Sequence, residues 1–200
     1  MTTQFNEHLS TAYETVFGTA CPRILIESSG WRIPLDTRMT VVGEYYSPDN
    51  VLRSICHGIK EGDPDAISEA AVLMSDLVSP GDTLVPVPSR HGNATTTLEL
   101  ARQISGISGC AVADILGGAD RRSLYELKKE LPPGQFPSGD ILGMRLKGDP
   151  PENPVLVDNV IATGTTAKAA LDTLPGSRLI ALAYASSYHP DWNIPKNFRA

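Results

Sequence analysis

The stretch PVLVDNVIATGTTAKAAL, residues 154–171, passes from an apolar run through an acid and an amide into a hydroxyl-and-glycine loop, then into an alanine-rich segment. Val155, Leu156 and Val157 are consecutive, so both faces of the segment are apolar, as in a strand covered on both sides. Asp158 and Asn159 end that run. Thr163, Gly164, Thr165 and Thr166 follow, and the segment after them is rich in helix formers. The expected order is buried strand, tight turn, helix start.

Such a junction has a chemistry. Gly164 lets the backbone turn and come close to a ligand, and the first amides of the helix favour an anion. Three threonine hydroxyls add donors for phosphate oxygens, and Asp158 at the strand end can accept bonds from sugar hydroxyls. A phosphate joined to a polyol, a ribose 5-phosphate, suits this set. The plainer reading is a helix cap at Thr165 and an acid that closes a strand; the full order of strand, acid, spacer and Thr-Gly-x-Thr weighs against it.

Outward from this centre, strand and helix patterns alternate. Residues 3–17 have Phe5, Leu9, Tyr13, Val16 and Phe17 near helical spacing, and "RILIE" and "MTVVGEYY" are β-prone. "SPDNVLRSICHGIKEG" reads as a helix starting near Pro48 or Asp49 and ending before Gly62, and "PDAISEAAVLMSDLV" as a second one. "DTLVPVP" is a short buried strand, "NATTTLELARQISGI" a helix with Asn93 or Thr95 as candidate cap, and "CAVADIL" another strand. From Gly117 to Pro154 the pattern dissolves into glycine, proline and charge. A helix from Thr165 to Leu174, the strand "RLIALAYAS" and a Trp/Pro-rich tail close the chain. Apolar strands alternating with helices predict an open, mostly parallel α/β sheet flanked by helices. Ligands of such sheets sit beyond the carboxyl ends of the strands, which directs attention to 88–95, 117–153 and 158–166.

With 200 residues, 41% hydrophobic and 20% charged, the chain fits an ordinary globular composition. A net charge of −6 gives no electrostatic reason to expect direct nucleic-acid binding. No apolar stretch is long enough to span a bilayer, and no membrane partner is expected. The first twenty residues lack a basic region followed by an apolar run, and Cys21, Cys56 and Cys110 are widely separated; a cytoplasmic location is the expectation. His57 and Cys56 read as packing or surface residues, and His189 with Trp192 as part of a tail that packs on the body.

"VLVDNVIATGTT" resembles the phosphoribosyl-pyrophosphate-binding signature of type I phosphoribosyltransferases: a hydrophobic strand, two acids, then Thr-Gly-x-Thr. Upstream, "TLVPVPSRHGNATTTLELARQI" is similar to the ComF-type branch, although the cysteine zinc motif of that branch is absent. The resemblance covers about residues 45–185 and implies a phosphoribosyltransferase domain over 45–200, with 1–44 as an N-terminal hood or extension. It implies that Asp158 holds ribose hydroxyls with Asn159 in the place of the second acid, and that Ala162, Thr163, Gly164, Thr165 and Thr166 cradle the 5-phosphate. Ser89, Arg90 and His91 become the pyrophosphate loop, with Arg90 and Asp158 the catalytic candidates. Residues 119–139 become a flap whose Arg121, Arg122, Lys128 and Lys129 offset pyrophosphate charge, with Tyr125 among them; a solvated face laced by Glu126 and Glu130 is the competing reading. Mg²⁺ would be held through Asp158 and substrate oxygens, with no strong protein site of its own. The ligand would be phosphoribosyl pyrophosphate or a nucleotide, and the acceptor or leaving group a nitrogenous base. A homodimer, or a partner protein in a larger assembly, is compatible with this. Asn159 removes a charge near the developing cation at the ribose, a loss of about 10²–10³ in rate for such contacts. A sensing module that binds without turnover, in a DNA-uptake, regulatory or defence assembly, is therefore the second function class.

Overall fold

The run around Val155–Val157 becomes the centre of a sheet. The computed structural model describes residues 38–45, 50–131, 138–162 and 164–185. In chain order the elements are β1 (Met39–Glu44), α1 (Val51–Glu61), α2 (Pro64–Ser75), β2 (Thr83–Pro86), α3 (Thr95–Ser108), β3 (Ala111–Val112), β4 (Leu116–Gly117), α4 (Leu124–Lys129), a 3₁₀ turn (Gly139–Leu142), β5 (Arg145–Leu146), β6 (Pro154–Ile161), α5 (Thr165–Thr173) and β7 (Arg178–Tyr184). Five strands form one parallel sheet in the order β1-β7-β6-β2-β3. The molecule is an α/β protein with helices on both faces.

Each strand serves two cores, which is why the strands are apolar throughout. Val155 and Val157 of β6 and Ile180 and Leu182 of β7 meet α1, α2 and α3. Leu156, Leu179 and Ala181 alternate to the other face and meet Ala167, Ala170 and Leu171 of α5. The chain steps one way from β2 through α3 to β3, and the opposite way from β6 through α5 to β7. Right-handed crossovers in opposite directions put their helices on opposite faces, as the two cores require. The order reverses between β2 and β6, the place at whose carboxyl ends open α/β sheets form their crevice.

Several expectations meet the structure differently. Met39–Glu44, assigned above to the N-terminal extension, is an edge strand of the main sheet, paired with β7 from Met39↔Leu179 to Glu44↔Tyr184. Residues 1–37, the tail from 186 and Pro48 and Asp49 lie outside the described residues, and with them the helix expected at 3–17, Cys21, His189 and Trp192. Neither Asn93 nor Thr95 caps α3: Ala94 occupies the cap position with no side-chain bond, and the Thr95 hydroxyl donates to Asn93 Oδ1 at 3.0 Å instead. "CAVADIL" is not one strand. A tight turn at Asp114, with the Ile115 amide donating to the Ala113 carbonyl at 3.0 Å, ends β3 and starts β4. Lys147 bonds Asp114 at 2.9 Å, and β4 pairs antiparallel with β5 inside the region that looked patternless.

Charge is treated differently at the two ends of the sheet. At the amino ends both terminal nitrogens of Arg178 are engaged, with Asp82 at 2.7 Å and the Leu77 carbonyl at 2.9 Å. At the carboxyl ends Arg90 stands exposed. No helix among the described residues is long and apolar enough to cross a membrane.

Candidate functional site

The crevice exists because β2 leaves β6. Their register ends at Pro86↔Val157, and the Val87 amide still donates to the Val157 carbonyl at 3.0 Å. Beyond that point the Val87 carbonyl turns to the Thr97 hydroxyl of α3, at 2.7 Å. On its other side β6 stays zipped to β7 as far as Ile161↔Tyr184. The amides of β6 that β2 no longer faces need acceptors, since a buried unpaired N–H is costly. Asp158 supplies one: its Oδ1 accepts from the Asn159 amide at 2.8 Å.

That carboxylate is 9% exposed. Burial pushes its pKa up from an ordinary 3.8 to about 6, against the pull of the neighbouring Asn159 and Val160 backbone amides and the Lys60 ammonium. Above neutrality the chain therefore carries a buried negative charge whose surroundings resist it. Perturbed acids of this kind concentrate where chemistry is done.

Asn159, equally buried, belongs to the opposite neighbourhood. Its Nδ2 donates to the Cys56 carbonyl of α1 at 3.4 Å, and the Cys56 thiol donates back to the Asn159 carbonyl at 3.4 Å. Burial pushes that thiol up to about 12, with Lys60 opposing and Asp158 adding to the rise; it is an inert packing group. The exposed His57, one residue on, shares a 2.9 Å hydrogen bond with the Tyr45 hydroxyl.

After β6, Ala162 is exposed, Thr163 lies outside the described residues, and Gly164 occupies the cap position of α5 with φ +73° and no side-chain cap bond. Thr165 and Thr166 form the first helical turn, half-buried. At its cap position the helix start thus carries no side chain. From the neighbouring β2 come buried Pro88 and exposed Ser89, Arg90 and His91, folded into a compact turn by the Ser89 amide on the Asn93 carbonyl at 2.7 Å and the Gly92 amide on the Ser89 carbonyl at 3.1 Å.

This turn is laced to the start of the 119–139 segment. The Gly118 amide donates to the Gly92 carbonyl and the Arg121 amide to the Arg90 carbonyl, both at 2.9 Å, around an antiparallel bridge between His91 and Asp120. Gly92 has φ +77°, and a Cβ there would sit 2.5 Å from the Gly118 carbonyl oxygen. Gly92→Ala combines a left-handed penalty of about 1–2 kcal/mol with that backbone clash. The expected outcome is local: hydrogen exchange at the Gly118 and Arg121 amides rises by about tenfold or more, while core β6 amides keep their protection.

The basic cluster divides. Arg122 pairs with Glu130 at 2.8 Å, which raises its pKa, and is committed to α4. Ser123 and Glu126 form a reciprocal capping box: the Ser123 amide and hydroxyl donate to Glu126 Oε2 at 3.1 and 2.9 Å, and the Glu126 amide donates to the Ser123 hydroxyl at 3.2 Å. These bonds hold the Glu126 carboxyl below its usual range, with the charges of Arg122 and Arg90 adding. The solvated-face reading therefore describes Arg122, Glu126 and Glu130. Arg121 is half-buried, and burial draws its guanidinium below the ordinary value. Lys129 is exposed on α4; the side chains of Tyr125 and Lys128 and residues 132–137 lie outside the described residues. Asp120, which no local pattern singles out, is the residue that sequence reasoning missed: its carboxylate lies 3.2 Å from His91 Nδ1.

No protein-family model matches the chain, and no curated protein matches it. The functional reading rests on the residues themselves.

Proposed function

We propose that the chain has a type I phosphoribosyltransferase fold, binds phosphoribosyl pyrophosphate or a nucleotide 5-phosphate in the β2/β6 crevice, and transfers the phosphoribosyl group to or from a nitrogenous base. The observation that carries this reading is the buried Asp158 carboxylate at the topological switch point, on the strand that leads into a helix whose cap position is Gly164.

In the synthetic direction the ribose C1–O bond to pyrophosphate breaks, and pyrophosphate leaves with that electron pair. A ring nitrogen of the base supplies the pair for the new C1–N bond, and its proton passes to solvent. The chain's part is positioning and charge. The first turn of α5 takes the 5-phosphate; Asp158, ionised above about pH 6, places negative charge by the sugar; Arg90 and Arg121 face the departing anion. Mg²⁺ commonly uses one or two carboxylates together with substrate phosphates, and a lone carboxylate fits a substrate-borne ion. Asp158 would hold it with the ligand's own oxygens, and the ion would offset charge on the leaving pyrophosphate.

Asn159 favours a second reading, a module that binds the sugar phosphate without turnover. Its amide is engaged with α1, so one carboxylate rather than two serves the crevice. Calorimetry with phosphoribosyl pyrophosphate and Mg²⁺, followed by an assay of pyrophosphate release over a panel of bases, separates the two. Binding with release establishes the transferase, and binding with no release under any base establishes the sensing module. No heat with any ribose 5-phosphate compound removes both. Among the described residues, a Cβ at Gly164 meets no atom within 4 Å, so the cost of Gly164→Val is the left-handed backbone, about 1–2 kcal/mol. Its Kd for phosphoribosyl pyrophosphate is expected to rise by about tenfold or more, because a side chain then stands where the backbone must approach the phosphate.

A further inference from the structure

His91 has no sequence neighbour that orients its ring, yet the fold brings one from 29 positions away. Its Nδ1 lies 3.2 Å from Asp120 Oδ1, and Arg90 Nε donates to its Nε2, also at 3.2 Å. The two contacts agree on one tautomer. A ring nitrogen that accepts from a guanidinium carries no proton, so the proton of the neutral ring sits on Nδ1, where the carboxylate takes it. The three residues form a chain, Asp120–His91–Arg90, whose ends lie on two loops already joined backbone to backbone. All three side chains are exposed, with His91 and Asp120 at 60% and 79%, so the chain is not a by-product of core packing. Among the described residues, the terminal nitrogens of Arg90 make no hydrogen bond or ion pair, although its charge is felt by Glu126.

We infer that Asp120 is a positioning residue: through His91 it tethers the Nε–H edge of Arg90, leaving the terminal amino groups as a fixed fork for two oxygens of a pyrophosphate. This inference rests on the phosphoribosyl reading of the crevice. An untethered arginine loses side-chain freedom when it grips an anion, and immobilising it in advance improves affinity by about three- to tenfold. Bidentate contact with phosphate oxygens is the geometry that the guanidinium fork suits best.

The sign of the effect is diagnostic. Asp120 is an acid beside an anion site, so deleting its charge should tighten anion binding if charge alone mattered. A tether predicts the reverse. The test is calorimetry of inorganic pyrophosphate with the full chain as wild type, Asp120→Ala, Asp120→Asn, Arg90→Ala and the double variant Asp120→Ala/Arg90→Ala, together with ¹⁵N NMR of the His91 ring. The expected results are a Kd raised about three- to tenfold by Asp120→Ala, wild-type or tighter binding for Asp120→Asn, which keeps an acceptor oxygen, and no effect of Asp120→Ala once Arg90 is alanine. The His91 ring is expected as the Nδ1–H tautomer in the wild type. Tighter binding by Asp120→Ala, an equal loss in the Arg90→Ala background, or an Nε2–H ring would overturn the inference while leaving the crevice reading intact. Wild-type protein that gives no heat with pyrophosphate but binds a ribose 5-phosphate compound removes the inference alone; no heat with either removes the crevice reading as well.

Discussion

Replacing Asp158 by asparagine is expected to make the protein more stable, not less, above neutral pH. The folded carboxyl titrates at about 6 against an ordinary 3.8. Through that window the folded chain keeps a proton that the unfolded chain has released, so stability falls as pH rises from about 3.8 to about 6 and is flat above. A displacement of that size corresponds to about 3 kcal/mol lost by the ionised protein. Asparagine removes the charge and retains one acceptor for the Asn159 amide. The gain is about 3 kcal/mol near pH 8, vanishing below about pH 4 where the acid is neutral in both states. Urea denaturation across pH measures it. Binding of phosphoribosyl pyrophosphate is expected to be lost in the same variant. A variant less stable than wild type at every pH would make Asp158 a structural cap and nothing more.

The second large effect lies one residue on. Asn159→Asp turns the amide that donates to the Cys56 carbonyl into an acceptor facing an acceptor, and adds a second buried carboxylate next to the first. Neither oxygen is solvated well enough to bear the charge. A loss of about 3 kcal/mol near pH 8 is expected. The variant's carboxyl is raised in the folded state, so the loss grows as pH rises and recedes in acid, where the protonated group donates to the Cys56 carbonyl. Thermal melts at several pH values decide this. Pyrophosphate release is expected not to increase, since residue 159 serves α1; an increase would put that side chain on the sugar instead.

How much of this was legible in the sequence depends on the range of the contact. Val155–Val157 announced a doubly covered strand because three adjacent apolar residues must face both ways, and Gly62 and Gly164 mark helix ends by their left-handed backbone. The order of strands and helices also identified which loops share an edge. The division of β3 from β4 was hidden because Asp114 turns the chain using partners, notably Lys147, that come from far along it. Asn159 read as a replaced acid; its bond to Cys56 spans 103 positions, and no local pattern encodes it. Asp120 was invisible for the same reason, while Glu126 and Glu130 were visible as charges but not as the partners of Ser123 and Arg122.

The one-sided parting of the sheet builds the crevice like a bench vice. The jaw formed by β6 and α5 is bolted to β7 as far as Ile161, whereas the jaw formed by residues 88–93 is held by Thr97 and by its lacing to 118–121. On the phosphoribosyl reading proposed above, the jaw that would seat the 5-phosphate is therefore the one the sheet braces along its whole length, and the jaw that would meet the pyrophosphate is the one held only by its loops.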